Sequence, residues 1–147
     1  MSGDQDDAAD GVGIEERLLA EGWRRRPLPG FIDRIGPLWV RREEAAWAYG
    51  LLAGPEHLNP AGVVHGGLLA TLADHALSAI AWQAIGRKPC VTVQLDTQFV
   101  AAANAGQFLQ ARGRVVRATG SLVFMQGGVQ ADGVELITAS AVMKIIG

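Results

Sequence analysis

Between residues 67 and 85 apolar side chains recur at Leu69, Leu72, Ala73, Ala76, Leu77, Ile80 and Ala84. That three-and-four spacing makes one broad helical stripe, and Gly86 supplies a stop, so the pattern predicts one long buried helix. The opposite face carries Gly67, Ala70, Thr71, Asp74, Ser78 and Ala81, groups small or polar enough to let another helix or a ligand approach closely, with Asp74 turned away from any sheet. Past the helix the period changes. Residues 91–99, 107–118, 121–130 and 134–146 read as strands, joined at Thr119-Gly120 and Asp132-Gly133 by turn-forming pairs. Before it, residues 35–42 and 46–52 read as a hairpin bent at Arg41-Arg42-Glu43-Glu44, followed by a loop rich in Gly, Pro, His and Asn over 54–64. Ile14, Leu18 and Leu19 predict a short amphipathic helix over 14–22 that caps one edge. Arg24-Arg25-Arg26, running into Pro27 and Pro29, marks a boundary and reads as a solvated turn, with phosphate contact the alternative. A strand pair, one long helix and four more strands imply an α+β domain in which an antiparallel sheet curls around a central helix, with a short N-terminal helix beside it.

Composition narrows the function classes. The chain has 147 residues, 49% hydrophobic and 19% charged, enough for one filled core, so residues 13–147 are read as a single domain after a disordered acidic tail at 1–12. A net charge of -2 provides no basic field, and no nucleic-acid partner is expected. The tail has neither a basic leader nor an apolar core, and Asp74 and His75 interrupt the longest apolar run, so neither a signal peptide nor a membrane span is expected. The lone Cys90 excludes an internal disulfide, suits the cytoplasm, and reads as a small apolar residue rather than a nucleophile or metal ligand.

The chemistry-bearing stretch is His57-Leu-Asn-Pro-Ala-Gly-Val-Val-His65-Gly-Gly, with Asp74 following in the helix. Gly66 and Gly67 leave amide N–H groups uncovered where the helix begins, and these orphan donors at the positive dipole end suit developing negative charge on a substrate oxygen. Asp74, set among Leu68, Leu69, Leu72, Ala73, Ala76 and Leu77, is costly to bury without a partner or a task.

This spacing of His57, Asn59, Gly62, His65, Gly66, Gly67 and Asp74 resembles the hotdog-fold acyl-CoA thioesterases of the phenylacetic-acid-degradation (PaaI-like) type, and the order of elements from about Gly30 onward fits that fold. The resemblance implies hydrolysis of an acyl-CoA thioester without metal or other cofactor. Asp74 is then general base or nucleophile, and the Gly66 amide with the Asn59 side-chain amide polarises the carbonyl. His65 orders the loop. By resemblance Thr92 orients the attacking water, although strict alternation would leave it an ordinary polar strand residue. Gly67 joins the substrate-binding groups, and Val64 and Leu68 line the acyl tunnel. Arg117, Gly120 and Ser121 lie where relatives contact coenzyme A, near Arg112 and Arg114 on what otherwise reads as a solvated face. After Phe99, however, Val100-Ala-Ala-Ala-Asn lacks the basic residue and proline common there. His75 points about 100° from Asp74 and forms no dyad with it.

Gly66 and Asp74 are eight residues apart, an axial rise of about 12 Å that a carboxylate cannot span. If both act on one thioester, they come from two protomers whose helices run antiparallel across a two-fold axis. A homodimer is therefore the expected minimal unit, and the resemblance implies a dimer of dimers. A hotdog hydratase or dehydratase, and a non-catalytic acyl-CoA sensor, are the competing readings.

Overall fold

A computed structural model of the chain describes residues 13–147; the tail expected at 1–12 lies outside them. A first helix, α1 (residues 13–20), is followed by β1 (Arg24–Arg25), α2 (Phe31–Ile35), β2 (Leu38–Arg42) and β3 (Trp47–Leu52). A single 3-10 turn at Pro55–His57 leads to α3 (Gly66–Ala84), and β4 (Cys90–Phe99), β5 (Phe108–Ala118), β6 (Leu122–Ala131) and β7 (Val134–Ile145) complete the chain. All strands pair antiparallel in the order β1-β2-β3-β5-β6-β7-β4. The sheet wraps α3, which is the hotdog arrangement. Among the described residues no helix is long and apolar enough to cross a membrane.

The helix buries Leu68, Leu69, Leu72, Ala73, Ala76, Leu77, Ile80 and Ala81, each leucine worth about 1.5–3 kcal/mol of transfer from water. Two positions differ from the helical stripe: Ala81 is fully buried and Ala84 is exposed. The sheet closes around the middle of α3 but opens near its end, so the buried arc is wider than a flat sheet would impose. A cross-strand glycine pair, Gly113 and Gly127, faces Leu77 of the helix. A Cβ at Gly113 would lie 2.4 Å from Leu77 Cδ2, so the missing side chains let the helix press onto the strands. Asp132 (φ 51°) and Gly133 (φ 76°) form the tight β6–β7 turn, both in the left-handed region that a two-residue hairpin of this kind requires.

Three local expectations change. Residues 31–35 form a short helix rather than leading into a strand; Pro37 disfavours helical conformation at Gly36, which ends the helix there, and the strand starts only at Leu38. The Arg24-Arg25 pair is not a turn but a two-residue edge strand on β2, short and charged as a protected sheet edge should be. Finally, α1 does more than cap the β1 edge, where Glu15 pairs with Arg25 and the Leu19 carbonyl accepts from Arg24. Leu18, and Trp23 just after the helix, pack with Trp39, Ala48 and Phe108 in a second cluster outside the main core, with Trp23 and Phe108 edge-to-face at 4.9 Å. Gly50 makes room for the Phe108 ring, which would lie 2.1 Å from any Cβ there.

Candidate functional site

The loop before α3 is a small folded unit. His57, buried, accepts the Gly54 N–H at Nδ1 (2.9 Å) and reaches the Ile35 carbonyl through Nε2 (2.8 Å). With Nδ1 accepting, Nε2 carries the proton and the imidazole is neutral. It ties the loop to α2, a structural task for the first residue of the motif. The His65 N–H returns to the His57 carbonyl (2.8 Å) and the Asn59 N–H to the Val63 carbonyl (2.8 Å), so residues 57–65 double back like a hairpin, with Gly62 at φ 84° in its bend. Asn59 Oδ1 accepts the N–H groups of Ala61 (3.0 Å) and Val63 (3.3 Å). The oxygen is thereby committed to the loop, and the Nδ2 amide is left for another acceptor.

His65 is the N-cap of α3, its Nδ1 accepting the Gly67 N–H at 2.9 Å. The helix therefore starts at Gly66, one residue earlier than the apolar pattern indicates. The cap also separates the two glycines: Gly67 has its amide engaged, which removes that amide from the substrate-binding groups, whereas Gly66, as the first residue of the helix, has no acceptor within it. Gly67 also has to be small, since a Cβ there would lie 3.0 Å from His65 Nδ1. The Phe99 ring, itself 55% exposed, covers Gly66 at 3.1 Å from a would-be Cβ; the sequence offered no signal for that neighbour.

Asp74, half-buried, does not point away from the sheet. It faces β4, where Thr92 Oγ1 donates to its Oδ1 at 2.7 Å. Ser78 Oγ lies 3.2 Å from Thr92 Oγ1. Thr92 has one hydroxyl proton, already given to the carboxylate, so Ser78 donates to Thr92, and the three form a directed chain from Ser78 through Thr92 to Asp74. The Met143 thioether lies against both hydroxyls, 3.2 Å from Thr92 and 3.8 Å from Ser78. Ser78 was missed as a site residue although it stands four positions after Asp74 on the same helical face. Thr92 reaches the helix because of a bulge: β4 pairs Thr92 with Met143 and Gln94 with Val142, leaving Val93 without a partner. Strict alternation would set Thr92 and Leu95 on opposite faces; the extra residue brings both to the helix side.

Other expected site residues lie elsewhere. Val64 and Leu68 are buried in the main core rather than arrayed along an open channel, because the loop and the first turn of α3 fold down onto the sheet. Arg117 is exposed near the end of β5, and the Gly120–Ser121 turn lies at the Cys90 end of β4, where Thr119 Oγ1 accepts the Ser121 and Leu122 N–H groups at 3.4 and 3.0 Å. Arg112 is committed to Glu43, donating from Nε at 2.8 Å and Nη2 at 2.9 Å. Hydrogen bonding from Arg112 holds the Glu43 carboxyl at about 2 against the opposing effect of burial, with Arg41 assisting. Cys90 is half-buried, and burial pushes its thiol up.

Within one chain, then, Asp74, Thr92 and Ser78 meet halfway along α3, while Gly66, His65 and Asn59 gather at its start. Between the groups runs β4, the last strand of the sheet, with one edge unpaired among the described residues and with Val91, Val93 and Phe99 from 44% to 55% exposed.

Residues 61–138, just over half of the chain, match the family described as the Thioesterase superfamily. An esterase-named protein of Pseudomonas aeruginosa is 32% identical over 121 residues, covering 81% of this chain and 87% of its own length. Among solved structures, a thioesterase of Ralstonia eutropha described as phenylacetic acid degradation-related superposes with a TM-score of 0.73 at 24% identity, covering 82% of this chain and 92% of the other. A Bacillus halodurans protein crystallised with CoA superposes at 0.63 with 25% identity, covering 67% and 70%.

Proposed function

Since the chain belongs to the thioesterase superfamily, we propose that it hydrolyses acyl-CoA thioesters to the free acid and CoA, using Asp74 as general base. The observation that carries this reading is the Thr92 hydroxyl on Asp74 Oδ1 at 2.7 Å. It fixes a half-buried carboxylate against the terminal strand β4, where packing alone gives a charge no reason to be. Water held by Asp74 loses a proton to it as the water oxygen bonds to the thioester carbon. The carbonyl oxygen takes up the negative charge against the Gly66 N–H and the Asn59 Nδ2 amide, donors worth about 3 kcal/mol of barrier each. The intermediate then breaks its C–S bond, and the CoA thiolate leaves with the proton from Asp74. Thr92 and Ser78 act on the carboxylate and are positioning residues.

The two halves belong to different protomers in this proposal. Eight helical residues separate Gly66 from Asp74, about 12 Å along the axis, and the exposed apolar edge of β4 suits pairing with the same edge of a second copy. The CoA found with the Bacillus halodurans neighbour supports CoA as the carrier. The test is thiol release from a panel of acyl-CoA thioesters by wild type and by Asp74→Ala. A loss of at least about 100-fold with folding intact is expected; equal turnover by the variant would remove the proposed base.

A further inference from the structure

On the side of α3 turned away from Asp74, the β2–β3 hairpin diverges from β5, with which β3 pairs only over Tyr49–Leu52. A cavity of about 400 Å³ opens there over the second half of the helix, within the size range of small-molecule sites. Its walls are apolar, built from Leu28, Val40, Ala79 and Trp82, and the Tyr49, His75 and Gln83 side chains also line it. Two cations, Arg26 and Arg87, also line it, and among the described residues neither forms an ion pair with a carboxylate. Arg87 is held in place: it adopts φ 65°, its N–H returns to the Trp82 carbonyl at 2.8 Å, and its guanidinium stacks over the Trp82 ring at 5.4 Å. A non-glycine residue in the left-handed region costs about 1 kcal/mol or more and persists only where its surroundings impose it.

We propose that this cavity binds a carboxylate carried on an apolar body, an aryl or medium-chain alkanoate, with its charge on Arg26 and Arg87 and its body against Trp82 and the strand floor. A planar carboxylate matches the forked donors of arginine, and apolar walls disfavour a fully hydrated polyanion such as inorganic phosphate. His75 packs edge-to-face on Tyr49 at 5.6 Å, and burial lowers its pKa despite the neighbouring Asp74 charge, so at neutral pH it adds a dipole and no third cation. The site stands on its own residues and does not depend on the thioesterase reading.

Equilibrium dialysis with labelled octanoate tests it on the full chain. Saturable binding near one per chain is expected, weakened at least tenfold in the double variant Arg26→Gln, Arg87→Gln, blocked by Ala79→Phe, and retained in Asp74→Asn. The arginine variants alter exposed side chains and leave the core intact, so they remain informative if Ala79→Phe folds poorly. Absence of saturable binding would overturn the proposal, as would binding indifferent to both arginines, binding lost only in Asp74→Asn, or competition by inorganic phosphate as effective as that by octanoate.

Discussion

A site divided between protomers makes a quantitative prediction. Asp74→Ala removes the base. Gly66→Pro removes the other half, because proline has no N–H to offer the carbonyl oxygen. The structure tolerates that change: Gly66 is the first helical residue, where proline fits, and His65 before it already has φ -59° and ψ 131°, the extended conformation that a residue preceding proline prefers. The nearest foreign atom to the new Cβ is Phe99 Cε1 at 3.1 Å, a side-chain contact relieved by a shift of a few tenths of an ångström. Each variant alone should lose about 100- to 1,000-fold in kcat. When the two are unfolded together and refolded at equal concentration, random two-fold pairing makes about half of the dimers mixed. Each mixed dimer combines both lesions in one site and has neither in the other. About one quarter of all sites are then intact, and thiol release should recover to about 25% of wild type from a background near 1%. If the folded variants are mixed without unfolding, the same recovery should develop at the rate of subunit exchange. A mixture no more active than its components, with mixed dimers verified by mass spectrometry of differently tagged chains, would mean that each chain completes its own site, and the shared arrangement would fall.

Three further outcomes are expected. Thr92→Val keeps the shape but removes the donor to Asp74 Oδ1, which should lower kcat by about 10- to 100-fold with KM little changed, while Thr92→Ser restores most of it; a fall in both variants alike would assign Thr92 to packing. Because the folded-state carboxyl of Glu43 is depressed from 4.5 to about 2, its ion pairs stabilise fully above pH 4.5, and that stability drains away as pH falls toward 2. The Tm gap between wild type and Glu43→Gln should therefore close across that window, and a constant gap would contradict the ion-pair account. Gly127→Ala would place a Cβ 2.2 Å from the Arg112 carbonyl oxygen and 2.8 Å from Gly113 Cα; since these are backbone atoms, Tm should drop by about 5 °C or more, and calorimetry showing no drop would mean that the strands part there easily.

Much of the architecture was legible along the chain because it rests on local periodicity. The three-and-four spacing of the leucines in α3 and the two-residue period of β5 to β7 are properties of neighbouring residues, as is the turn chemistry of Asp132-Gly133. The Gly66-Gly67 start of α3 was equally visible, because the residues that cap a helix adjoin it in sequence. Relations between distant residues were not written there. The bulge at Val93 depends on the register of β4 against β7, and that register alone turns Thr92 toward Asp74. Which glycine amide stays open depends on the His65 rotamer. The burial of Ala81, Val64 and Leu68 follows from how far the sheet closes around α3, and the cavity behind His75 from where it fails to close. Sequence alone determined the elements and the kinds of chemical group available, since both arise within a few residues. Their mutual orientation was decided only by the packed fold, because side chains far apart in the chain meet wherever strand register and sheet curvature bring them.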